Sequence, residues 1–108
     1  MPAISKNNHQ DKAVDILIIG GGAAGLMAAG QAASPGLSVC VLEKMERPAR
    51  KLRITGKGRC NFTNTAGLED FAAAFDQGGK FLRPCFSRFF NQDLMRFFEA
   101  IGVPGRVE

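Results

Sequence analysis

Residues 14–43 read VDILIIGGGAAGLMAAGQAASPGLSVCVLE, and how this stretch divides decides the fold. As one piece, residues 13–33 approach the ~20 apolar residues of a membrane helix and are preceded by two lysines, Lys6 and Lys12, as a signal peptide would be. Asp15 lies inside that window, three successive glycines interrupt it, and only Ile16 to Ile19 form a dense apolar run. Alanine and glycine add little transfer energy, so the membrane reading is set aside. Divided, the stretch is coherent. Val14 to Ile19 is short, β-branched and apolar at consecutive positions, as in a parallel strand covered on both faces. Residues 23–33 are alanine-rich and end at Ser34-Pro35-Gly36, a helix stop. Ser38 to Leu42 supplies a second strand, closed by Glu43. Strand, helix and strand make one βαβ unit.

The turn between strand and helix fits G-x-G-x-x-G as Gly20, Gly22 and Gly25. Gly20 permits the tight turn, Gly22 lets a pyrophosphate approach the backbone, and Gly25 lets the helix lie close to the strand. The amides near Gly22, Ala23 and Ala24 are then the donors to an anion at the positive end of the helix. The fingerprint alone is common, but here a strand precedes it, a helix follows it, and an acid ends the next strand. Glu43 stands where a carboxylate accepts hydrogen bonds from the hydroxyls of an adenosine ribose. It would repel a 2′-phosphate, which favours FAD or NAD over NADP. Leu26 after Gly25 excludes a Walker loop.

Composition sets outer limits. The chain has 108 residues, 45% hydrophobic and 22% charged, which describes one ordinary globular domain. The formal charge of +4 is concentrated in Lys44, Arg47, Arg50, Lys51, Arg53, Lys57 and Arg59, which favours anionic ligands without implying nucleic acid. Cys40, Cys60 and Cys85 are far apart and odd in number, so neither a redox pair, a metal knuckle nor a disulfide framework follows, and a reducing cytoplasmic setting does. His9 sits in a polar segment, 1–12, read as a flexible leader, leaving 13–108 as the folded part.

The segment KLRITGKGRCNFTN, Lys51 to Asn64, begins just past Glu43 and reads as an irregular basic loop, too irregular for a helix. Gly56 and Gly58 flank Lys57, allowing backbone to approach a flat ligand. Its cations, Thr55 and its amides suit a polyanionic cofactor. On charge alone a solvated basic loop is an equal reading. Cys60 has no partner cysteine nearby, so a buried structural thiol is expected, with Cys40 and Cys85 in core positions.

GGGAAGLMAA, then VLEK, then KLRITGKGRCNFTN resembles the beginning of the BaiN-like family of bacterial NAD(P)/FAD-dependent oxidoreductases, also described as aminoacetone oxidase family FAD-binding enzymes. The similarity runs from Val14 to the C-terminus, and TGKGRCN is its most specific element. The resemblance implies FAD, with Gly20, Gly22, Ala24, Gly25 and Glu43 holding the ADP half and Lys44 beside them. Lys51, Thr55, Gly56, Gly58, Arg59 and Asn61 would embrace the pyrophosphate and ribityl region. It also implies a parent of several hundred residues, of which this chain is an N-terminal part that binds FAD poorly alone, with NAD(P)H and a small-molecule substrate as partners of the intact protein. Ala49 stands where that family tends to have glycine, Arg53 where an apolar residue is usual, and Phe62 where leucine is typical.

The last third reads as helices. Leu68 to Phe75 ends at Gly78-Gly79, and Asn91 looks like the N-cap of QDLMRFFEAIG. Leu94, Phe97, Phe98 and Ile101 mark one buried face. Phe81, Phe86 and Phe89 read as core, in preference to bases stacking between them and Arg83 and Arg88. The expectation is an α/β chain: the βαβ portion of a Rossmann-like FAD-binding domain followed by short helices, incomplete as a sheet. It belongs to a flavin-dependent oxidoreductase, with no general acid, base or metal ligand visible. The alternatives are a non-catalytic FAD or nucleotide-binding module and an RNA-associated flavoprotein using the basic segment.

Overall fold

A computed structural model describes residues 13–108; the leader at 1–12, with His9, lies outside the described residues. The chain divides into two compact units, one running to Asn61 and one from Phe62 to Glu108.

In the first unit, strand β1 (Ile16–Ile19) is followed by helix α1 (Ala23–Ala32) and strand β2 (Val39–Leu42). The strands pair in parallel, Ile16 opposite Val39 and Ile19 opposite Leu42. Gly20 N–H donates to Leu42 O at 2.8 Å, carrying the ladder into the glycine turn. At the other end, the Asp15 carboxylate accepts from both the amide and the hydroxyl of Ser38, at 2.8 and 2.9 Å. The Ser38 amide, then its hydroxyl, hold the Asp15 carboxyl below the usual carboxylate range. The strand itself begins after Asp15, at Ile16 rather than at Val14.

Helix α1 lies almost on β1. A Cβ at Gly25 would sit 1.9 Å from Gly20 O and 3.5 Å from the Ile18 side chain, so only glycine permits this approach. Ile16 and Ile18 are half-buried. Leu17, Ile19 and Leu42 are 53%, 75% and 51% exposed, which corrects the expectation of strands covered on both faces. With one helix in the unit's βαβ start, the alternate side chains of β1 lack a covering layer, whereas in β2 Val39, Cys40 and Val41 are all half-buried and Leu42 alone is exposed.

The segment read as an irregular loop begins instead with a helical turn, α2 (Arg50–Ile54), followed by a 3-10 turn over Thr55–Gly58. Arg, Lys, Leu and Ile are adequate helix formers, and the cations that argued against burial do not argue against an exposed helix. Ala49, at φ 59 and ψ 33, precedes α2 in the left-handed region. Glycine adopts that conformation without the steric cost that alanine carries. Cys60 is exposed and Cys40 half-buried, against the expectation that both are core.

The second unit holds α3 (Leu68–Ala73), α4 (Gly78–Phe86) and α5 (Asn91–Ala100). Gly78 and Gly79 open α4 rather than closing the helix before it. A Cβ on Gly79 would lie 2.2 Å from Ala72 O, so α3 and α4 meet backbone to backbone. Phe71 centres an aromatic cluster, with Phe86 and Phe90 edge-on at 5.3 and 5.1 Å. Arg83 grips the Glu69 carboxylate with both arms, one at 2.9 Å, but the pair is exposed and contributes little. Phe81, Phe89 and Ile101 are exposed, as is Cys85, so the apolar pattern of this third overstated its interior.

Asn91 is not the N-cap; Phe90 is. Asn91 opens α5 with a buried side chain whose Nδ2 donates to Asn64 O and Ala66 O at 2.8 and 2.9 Å. The Asp93 carboxylate takes the capping part by accepting from Phe90 N–H at 2.8 Å.

Thermal or denaturant unfolding of four variants tests these contacts. Gly25→Ala destabilises by about 1–3 kcal/mol or more, because the obstacle is a backbone oxygen that cannot swing aside. Gly30→Ala in the same helix, where a Cβ meets nothing, stabilises by about 0.5–1 kcal/mol; equal effects at the two sites would refute the close approach. Ala49→Gly relieves the left-handed alanine and stabilises by about 0.5–1 kcal/mol. Asn91→Ala costs about 1–3 kcal/mol, since two carbonyls lose a buried donor.

Candidate functional site

The C-terminal ends of β1 and β2 and the N-terminus of α1 converge. Gly20 turns the chain at φ +100, a conformation that side chains rarely adopt. Gly22 is the N-cap of α1 with extended backbone; no side chain caps the helix and no acid lies in its first turn. Its first amides, at Ala23 and Ala24, therefore keep their donor capacity at the positive end of the helix dipole. A Cβ at Gly22 would meet no protein atom, and Ala23 and Ala24 are exposed, so the approach to these amides is open.

Glu43 comes to the same turn. One carboxylate oxygen accepts from Gly21 N–H at 2.8 Å and the other from Met45 N–H at 3.0 Å. The Met45 amide, then the Gly21 amide, hold its carboxyl below the usual range, and the charge of Lys44 acts in the same direction. Each oxygen retains acceptor capacity for a further donor, such as a ribose hydroxyl. The structure thus brings together Gly20, Gly22, Ala23, Ala24, Gly25 and Glu43.

The basic residues are arranged less tightly. Lys44 is exposed and lines a shallow concavity of about 530 Å³ with Met45, Glu46, Arg47, Arg50, Arg53 and Ile54. Lys51 is exposed on α2 and does not line it. The Thr55 hydroxyl donates to Leu52 O at 2.9 Å and so closes α2. Gly56, Lys57 and Gly58 all have positive φ, at 70°, 48° and 93°. Arg59 N–H returns to Gly56 O at 3.1 Å. The Asn61 side chain rests against Gly56, where a Cβ would lie 3.3 Å from its amide group. Gly56, Gly58, Arg59 and Asn61 therefore build one tight turn.

Gly21 is the residue that the glycine fingerprint passes over. It is buried, its amide binds Glu43, and its carbonyl accepts from Ala49 N–H at 2.7 Å. A Cβ there would lie 3.1 Å from both Glu43 Oε2 and Pro48 Cβ. The available signal was glycine at three positions where the turn demands only two.

Comparison with known proteins agrees with this geometry. Residues 14–108 match the model of the HI0933-like protein Rossmann domain. A protein named 3-dehydro-bile acid delta(4,6)-reductase, from Clostridium scindens, is 39% identical over 88 residues, covering 80% of this chain and 21% of that protein. Two proteins named ribosomal RNA dihydrouridine synthase are similar as well. The one from Haemophilus influenzae is 38% identical over 81% of this chain and 21% of its own length. The one from Escherichia coli is 33% identical over 82% of this chain and 22% of its own length. The chain thus spans about a fifth of the length of these curated relatives. A parallel βαβ start with a glycine turn, an uncapped helix and an acid one strand over is a dinucleotide-binding arrangement, and the chain belongs to the HI0933-like Rossmann-domain family, the BaiN-like group that its motifs resemble.

Proposed function

We propose that this chain supplies the ADP-binding half of an FAD site in a flavin-dependent oxidoreductase. The observation that carries the reading is the Glu43 carboxylate bound at 2.8 Å to the amide of Gly21, inside the turn whose next amides open α1. That arrangement fits the cofactor's adenosine diphosphate: an open, uncapped amide end for the diphosphate and an ionised acceptor for the sugar. Gly20, Gly22 and Gly25 shape the turn, Ala23 and Ala24 offer amides, Glu43 takes the ribose hydroxyls, and Lys44 adds positive charge beside it. Lys51, Thr55, Gly56, Gly58, Arg59 and Asn61 are assigned to the remainder of the cofactor on the strength of the family motif, with 13–108 as part of one FAD-binding domain.

When bound, the flavin supplies hydride or electron transfer; the chain's own part is to bind and orient it. In the whole protein NAD(P)H is the proposed donor. The names of the relatives describe a reductase and the formation of a dihydro base, both of which add hydrogen to a substrate. A second reading, favoured by the two relatives named for ribosomal RNA, makes RNA that substrate, with the basic segment facing phosphates. A cytoplasmic setting suits three cysteines that are all free. Among the described residues no helix is long and apolar enough to cross a membrane.

Titration with 5′-ADP and FAD, followed by amide shifts or flavin fluorescence, tests the reading. Both ligands should perturb Gly21 to Ala24 and compete, while riboflavin does not compete with 5′-ADP. Glu43→Gln should weaken 5′-ADP by about 10-fold or more, as loss of a charge-assisted hydrogen bond does. Failure of both adenine ligands to perturb that turn would refute it. Because the folded Glu43 carboxyl is held low, affinity should stay flat through the ordinary carboxylate range and fall only at pH below it. For the RNA reading, binding of a ribosomal RNA fragment should fall steeply with salt and lose slope on Arg47→Glu; a salt-independent affinity would reject it.

A further inference from the structure

The geometry points to Gly21 as a positioning residue that sets ribose specificity: its amide holds the Glu43 carboxylate where it meets the sugar, and its missing side chain leaves the carboxylate room to stay there. This inference rests on the adenine-dinucleotide reading above and assigns it a determinant outside the glycine fingerprint.

The residue is buried between three segments. Its N–H donates to Glu43 Oε2 at 2.8 Å, and its carbonyl accepts from Ala49 N–H at 2.7 Å, which tethers the start of α2. The backbone of Gly21 is not in the left-handed region, so conformational freedom does not explain the glycine. Space does. An added Cβ would come within 3.1 Å of Glu43 Oε2 and of Pro48 Cβ, and within 3.4 Å of Glu43 Cβ. Two of these three contacts are with the side chain that grips the sugar. An alanine here requires the Glu43 side chain and the Pro48 ring each to give by a few tenths of an ångström; the carboxylate end is the more flexible of the two, so the expected adjustment lengthens its bond to the Gly21 amide while the turn persists. Gly22 offers the opposite case, since a Cβ there meets no protein atom and would obstruct only a ligand.

A carboxylate fixed by a backbone donor presents its remaining lone pairs in one direction and stays ionised there, which repels a phosphate on the 2′-oxygen. A carboxylate released from the amide rotates into solvent, and its discrimination fades.

The test compares 5′-ADP with 2′,5′-ADP on the unsubstituted protein, Gly21→Ala and Gly22→Ala. The unsubstituted protein should prefer 5′-ADP by about 10-fold or more, a ratio of the size that one misplaced charge contact produces. Gly21→Ala should keep the fold by circular dichroism yet bring the ratio near one. Gly22→Ala should weaken both ligands alike. A folded Gly21→Ala that keeps the unsubstituted preference overturns the inference. A ligand-free readout stands beside it: the Gly21 amide proton in the unsubstituted protein should titrate with the Glu43 carboxyl and lose that titration in Glu43→Gln. An amide proton indifferent to Glu43 overturns the inference even if Gly21→Ala fails to fold. Absence of all adenine-ligand binding while the amide titrates would refute the functional reading and leave the Gly21–Glu43 coupling standing.

Discussion

The contact between the backbone of α1 and the end of β1 governs the rest of the first unit. Gly25 brings the helix to within van der Waals distance of Gly20 O, closer than any residue with a side chain could. That approach fixes where the first turn of α1 points, and hence where its uncapped amides lie relative to the strand ends. The parallel register then delivers Glu43 one step past Leu42, beside the same turn. A helix displaced by the width of a methyl group would carry its amide end away from the acid.

Much of this was readable before any coordinates. The two strands, the helix between them and the positions of Gly20, Gly22, Gly25 and Glu43 follow from local pattern: β-branched runs, an alanine-rich stretch with a stop, and an acid at a fixed interval. What escaped reading depends on partners distant in sequence. Gly21 is defined by Glu43 and Ala49, neither of which its neighbours announce. The left-handed backbone of Ala49 likewise follows from where the chain must turn into α2, which its own residue type does not announce.

Exposure was the least readable property. Cys60 and Cys85 looked like core because free thiols usually are, and Ile101 and Phe81 because they fall in apolar rhythm. Rhythm identifies which residues share a face, not whether another layer covers that face. Among the described residues Ala72 is the sole apolar side chain that is buried, so aromatic edge contacts around Phe71, rather than enclosed aliphatic packing, hold the second unit. Likewise Asn91, placed by sequence as a cap, serves instead to tie down Asn64 and Ala66, a task set by tertiary geometry.

The sheet of the first unit has two strands, so each of them is an edge. Every such edge offers a row of unsatisfied donors and acceptors to any extended peptide that drifts past, and here that row is backed by Leu17, Ile19 and Leu42. Neither proline, lysine nor a bulge interrupts β1 or β2 to deter such pairing. Handled at high concentration without further strands to pair with, these two are templates for intermolecular β-sheet.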